Sequence, residues 1–136
     1  MKNNTLTFAT LFGASGVALG ALGAHFLKNK MQEGLINADQ LDGFDTATKY
    51  QLFHSILLLI IYLMNKEGTN KLLNGAANLI VFGILFFSGS IYFLTTKNLM
   101  GIENLKFLGP ITPIGGLLLI AGWICIFIHS IKKNKI

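Results

Sequence analysis

Two histidines of this chain lie within or beside long apolar runs: His25 near the end of one, and His54 in the first turns of another. An imidazole can carry protons near neutral pH and can ligate a metal or a haem iron. Tyr50, Gln51, Ser88, Ser90 and Thr112 add hydroxyl and amide groups, so a site that holds a small solute or an ion is one chemistry these types allow. A haem-bearing electron-transfer subunit, with histidines from two helices at one depth, is another. Against metal or haem, the sequence has no His-x-x-His or Glu-x-x-His pattern. Against proton-coupled transport, its long apolar runs contain neither Asp nor Glu, the residues such a mechanism ordinarily uses. No nucleophile and base occur in a recognisable spacing, and no glycine-rich loop could cradle phosphate. The residues therefore predict no catalytic group, no metal and no cofactor.

The same residues have a plainer use. Histidines within a turn or two of a membrane boundary reach headgroups or bond a neighbouring backbone, and Tyr50, Tyr62 and Tyr92 near run ends suit an interfacial aromatic belt. Ser88 and Ser90 read as small packing residues, Asn74 and Asn78 as interhelical glue, and His129 as interfacial beside the terminal lysines.

What must position these groups is a set of membrane helices. Of 136 residues, 52% are hydrophobic and only 12% charged, against about a quarter charged in soluble domains. The net charge of +5 comes from lysines at the ends of apolar runs. That pattern suits anionic lipid headgroups and argues against nucleic acid. Cys125 is the only cysteine, so no internal disulfide forms.

Four spans are expected, at about 6–27, 47–64, 72–94 and 108–131, within one integral membrane domain covering residues 1–136. The run from Leu6 to Leu27 is longer than the apolar part of a signal peptide, about 7–15 residues. It also carries Gly13, Gly16, Gly20 and Gly23 at helical spacing, a stripe that lets another backbone approach closely. Gly83 lies on a second line of small residues with Ala76 and Ser90. Asn37 followed by Gln40 resembles a capping box, which predicts one helix from about Ala38 to Met64 with an amphipathic extension before the second span. Gly43 is its weak point, the place in that helix where a break would fall. Tyr50 to Asn65 lie uncharged between Lys49 and Lys66, about 24 Å of helix against a hydrocarbon core of about 30 Å, so polar residues of this helix sit at membrane depth. Asn65 to Lys71 is a tight turn, Thr95 to Phe107 a polar link, and Pro110 and Pro113 open the last span.

With up-and-down connection, the ends bearing His25, the Lys49–His54 stretch, Ser88–Tyr92 and Gly109–Pro113 share one leaflet, which predicts a polar pocket opening toward the long connection. Lysines 2, 66, 71, 132, 133 and 135 fall on the side of the termini and 28, 30, 49, 97 and 106 on the other, which places both termini in the cytoplasm and the protein in the cytoplasmic membrane.

Four ordered stretches, SGVALGALGAHFL, TKYQLFHSILLL, GILFFSGSIYFL and LGPITPIGGLLLIAGW, resemble the small four-helix membrane proteins of domain-of-unknown-function family 423, related to the animal transmembrane protein 256. The resemblance covers nearly the whole chain. It implies a multi-pass membrane protein, bacterial in this form, in a family without an assigned biochemistry. Its motif positions here are Gly20, Gly23, His25, Tyr50, Gln51, His54, Ser88, Gly89, Ser90, Gly109, Pro110, Thr112, Pro113 and Gly115. The expectation is an all-α, antiparallel four-helix transmembrane bundle acting as a non-enzymatic interaction or structural component. Its partners are membrane lipid and either another membrane protein or a second copy. The alternatives are solute or ion binding at His25 and His54, and the haem-bearing subunit.

Overall fold

The computed structural model describes residues 2–102 and 104–133, which form helices joined by short links. Helix α1 (Lys2–Leu22) runs into a π-helical turn (Gly23–Leu27) and then α2 (Lys28–Gln32), so the first helical rod continues past the expected end of its span. Then come α3 (Ala38–Met64), α4 (Lys71–Met100), a 3₁₀ turn (Lys106–Leu108) and α5 (Ile111–Lys133). The helices at 4–32, 38–64, 71–100 and 106–132 are each long and apolar enough to cross a membrane.

α3 starts where the capping box predicts. Asn37 Oδ1 accepts from the Gln40 amide at 2.8 Å, and Gln40 Oε1 accepts from the Asn37 amide at 3.0 Å. The helix runs unbroken through Gly43, its weak point, as the expectation of one helix from Ala38 to Met64 requires. A Cβ at that position would lie 2.9 Å from Thr95 Cγ2, so the glycine serves close approach to α4, and packing outweighs its poor helix propensity. α4 extends past the expected link at Thr95 and stops at Gly101, whose φ of 66° lies in the left-handed region that favours glycine. The hydroxyls of Thr95 and Thr96 donate back to the carbonyls of Ile91 and Tyr92, at 2.8 and 2.7 Å, and so stay within the helix.

The middle helices α3 and α4 pack on each other, α1 packs on α3, and α5 packs on α4. Two seams show why. Along α1 and into the π turn, Cβ atoms added at Gly13, Gly16, Gly20 and Gly23 would meet Ser55, Leu52, Thr48 and Phe44 in turn, an antiparallel register. The glycine stripe is thus occupied by α3 of the same chain and offers no ridge to a partner. Along the other seam, Gly83 meets Leu119 and Gly122 meets Ile80, while a Cβ on Gly115 would lie 2.2 Å from the backbone nitrogen of Phe87. Gly115 and Gly122 are packing glycines that the spacing argument missed.

Two apolar clusters result. The larger joins Ala9, Phe12, Leu58, Ile61, Leu73, Ile80, Ile84 and Leu119; the smaller joins Leu27, Ile36 and Phe44. Between them along α3 lie the buried polar residues Thr48, Gln51, His54 and Ser55. At the short turn, Asn65 Nδ2 donates to Asn74 Oδ1 at 2.9 Å, Asn74 Nδ2 donates to the Gly68 carbonyl at 2.9 Å, and Asn70 Oδ1 caps α4. Asn74 thus joins α4 to Asn65 at the C-terminal cap of α3 and to the turn between them, the interhelical role expected of it, whereas Asn78 is exposed. His129 Nδ1 lies 3.1 Å from Asn70 Nδ2 at that same end.

Gly115→Ala is expected to lower stability by about 1–3 kcal/mol through overpacking against the α4 backbone. Gly116→Ala, whose Cβ would meet Phe87 at an ordinary 3.7 Å, is expected to be tolerated. Thermal unfolding of the two variants in detergent checks the pair, and equal midpoints would contradict the α4–α5 seam.

Candidate functional site

Gln51 is buried and serves three helices at once. Its Nε2 donates to the Phe12 carbonyl at 2.9 Å and to Ser15 Oγ at 2.8 Å on α1, and its Oε1 accepts from the Tyr92 hydroxyl at 2.9 Å on α4. The Phe12 carbonyl already belongs to a helix ladder and can be approached because Gly16 carries no side chain: a Cβ there would stand 3.4 Å from Gln51 Nε2 and 2.8 Å from a Leu52 methyl. Ser15 passes the chain on, its hydroxyl donating to the Leu11 carbonyl at 2.8 Å. Both amide hydrogens and the amide oxygen of Gln51 are therefore engaged, which a hydrocarbon surrounding demands. The Tyr92 ring rests on Phe44, with centroids 4.8 Å apart.

His54 belongs to a different contact. Its Nδ1 lies 2.7 Å from the Tyr50 carbonyl, and the Trp123 indole N–H donates to its Nε2 at 3.3 Å. A neutral imidazole has one donor and one acceptor nitrogen, and the arrangement that serves both contacts places the proton on Nδ1. No lone pair is left for a metal or haem iron. Tyr50 is exposed and lies over both His54 and Phe87, at centroid distances of 5.9 and 4.7 Å.

The serines act as straps between helices. Ser88 Oγ donates to the Ala47 carbonyl at 2.8 Å, tying α4 to α3. Ser90 Oγ lies 2.6 Å from Thr112 Oγ1, tying α4 to α5, and 3.0 Å from the Phe87 carbonyl. His25 joins none of this: it sits exposed in the π turn, and its side chain enters no hydrogen bond among the described residues. The expected convergence of His25, Gln51, His54, Ser90 and Thr112 on one pocket therefore does not occur. The physical reason is that Gln51 is held between α1 and Tyr92 of α4, His54 is held by Trp123 of α5, and the Ser90–Thr112 pair lies in the α4–α5 seam. No group of three or more His, Cys, Asp or Glu fit to hold a metal occurs among the described residues.

A cleft of about 230 Å³ does lie at the long-connection end, but in the α1–α3 seam. Gly20, Gly23, Lys28, Asp42, Asp45 and Thr48 line it, and none of the seven candidate pocket residues does. Sequence reading missed Ser15 and Trp123 and assigned Tyr92 to an interfacial belt. The available signal was Trp123 itself, an indole N–H in the middle of an apolar run, where it needs a partner.

Residues 19–116 match the model of a family described as a protein of unknown function, DUF423. The chain belongs to this family. It is 40% identical over 117 residues to a UPF0382 membrane protein of Staphylococcus epidermidis, with 85% of each chain covered. It is 41% identical over 117 residues to a UPF0382 membrane protein of Staphylococcus aureus, covering 85% of each. A UPF0382 membrane protein of Haemophilus influenzae matches over 136 residues, the whole of both chains, at 37% identity. No solved structure matches. With relatives that are membrane proteins and four helices able to cross, this DUF423 chain is a multi-pass membrane protein. The family match includes Gln51, His54, Ser88, Ser90, Tyr92 and Thr112, and excludes Ser15 and Trp123.

Interhelical hydrogen bonds in membranes average about 0.6 kcal/mol each, so Tyr92→Phe is expected to cost about that much and Gln51→Leu about 1–2 kcal/mol. Because they share one bond, the double variant is expected to cost no more than Gln51→Leu alone. Unfolding in mixed micelles measures all three, and strict additivity would contradict the Gln51–Tyr92 contact.

Proposed function

We propose that this DUF423 protein is a non-enzymatic structural or interaction component of the cytoplasmic membrane, with both termini on the cytoplasmic side. The observation that supports this reading best is the internal satisfaction of its polar groups: among the described residues, no buried side-chain nitrogen or oxygen lacks a hydrogen-bond partner. A site built to bind a solute keeps convergent polar groups available for it. Here Gln51, His54, Ser88, Ser90 and Thr112 hold helices together instead. The lysine distribution supports the orientation. Partners are membrane lipid and another membrane protein or a second copy, reached through the outward faces of the bundle, since α3 occupies the α1 glycine stripe.

The haem reading has no support from His54, whose two nitrogens are engaged, or from His25, which lies apart. One observation favours solute binding at a different place: the cleft beside Lys28, Asp42 and Asp45 sets charges of both signs around a small volume, which would suit a zwitterion.

Crosslinking in native membranes is expected to capture the protein with a partner or with itself. A strictly monomeric protein without co-purifying partners counts against the structural reading. In proteoliposomes, His54→Ala is expected to lower thermal stability and leave solute flux at the level of protein-free vesicles. A zwitterion flux that Asp42→Asn abolishes would replace this reading with the cleft alternative.

A further inference from the structure

α3 and α5 both lean on α4 but do not pack closely on each other. Among the described residues the hydrogen bond that joins them runs from the Trp123 indole to His54, and a groove of about 510 Å³ lies between the two helices. Phe53, Ile56 and Ile60 form the α3 wall and Trp123 faces them from α5, all four exposed on the outer surface of the bundle.

We propose that this groove holds one acyl chain of a membrane phospholipid. Its length argues for that occupant. From Tyr50 to Ile60 the helix rises about 15 Å, half of a hydrocarbon core of about 30 Å. Tyr50 is also the first residue of the uncharged stretch that follows Lys49, so the groove opens at the headgroup boundary and ends near the bilayer midplane. The chemistry of the floor argues the same way. Both nitrogens of His54 and the indole N–H are engaged within the chain, and the one polar group left open is the Tyr50 hydroxyl at the headgroup end, so below it a polar solute would find no hydrogen-bonding partner, whereas a hydrocarbon chain gains dispersion contacts along aromatic and branched walls. Lys49, the residue before Tyr50, already pairs with Asp45 at 2.5 Å, so its charge is balanced within the chain and the acyl chain, not headgroup charge, sets recognition. This assignment is independent of the structural role proposed above, and either can fail alone.

Trp123 is the only tryptophan in the chain, so its emission reports the groove. Titrating the detergent-solubilised protein with mid-chain-brominated phosphatidylcholine is expected to quench that emission and to saturate at a single lipid per chain. Phosphatidylglycerol brominated at the same position is expected to match it. Ile56→Phe, which fills the groove from an already exposed position, is expected to weaken quenching several-fold, and Ile60→Phe repeats the test at the midplane end. Leu117→Phe, outside the groove, is expected to change nothing. Quenching that rises in proportion to brominated lipid without saturation, that both filling variants leave intact, or that only the anionic lipid produces would overturn the assignment.

Discussion

A primary amide in a hydrocarbon layer must satisfy two N–H groups and one carbonyl without water. Gln51 meets that demand with a backbone carbonyl, a serine and a tyrosine drawn from the helices on either side of its own. Because each partner sits on a different rod or turn, the three contacts fix how far α1 and α4 are rotated and slid against α3. Apolar packing alone constrains such motions weakly in lipid, where a leucine face gains little by choosing a protein neighbour over an acyl chain. The polar band between the two apolar clusters is therefore what gives this bundle a single register.

The glycines and the polar groups depend on each other. Gly16 brings the α1 backbone close enough for Gln51 to reach its carbonyl, and the remaining α1 glycines hold that spacing along the seam. In the α4–α5 seam Gly83, Gly115 and Gly122 do the same, and the Ser90–Thr112 contact closes the end. Small residues supply proximity and hydroxyls or amides supply specificity.

Much of this was legible in the residues. Spans follow from run length, the start of α3 from Asn37 and Gln40, and the α1 stripe from glycine spacing, because these signals are local along one chain segment. What a side chain faces is not local. Gln51 and His54 stand three residues apart, neighbours on one side of α3, yet one is held by Phe12 of α1 and Tyr92 of α4 and the other by Trp123 of α5, so grouping them by depth predicted a convergence that the packing of the other helices does not make. Tyr92 was assigned to a belt because its partner lies 41 positions away. Gly43 read as the weak point of its helix because the compensating contact, Thr95, belongs to another.

The division of Gln51's partners also bears on how the protein is made. A chain emerging from the ribosome presents its N-terminal helices first. When α3 enters the bilayer, the Phe12 carbonyl and the Ser15 hydroxyl are already in place, so both hydrogens of the amide can be matched while α4 is still unsynthesised. Only its oxygen waits for Tyr92. The first two crossings can thus dock as a nearly complete hairpin, with one open acceptor that the third crossing closes on arrival.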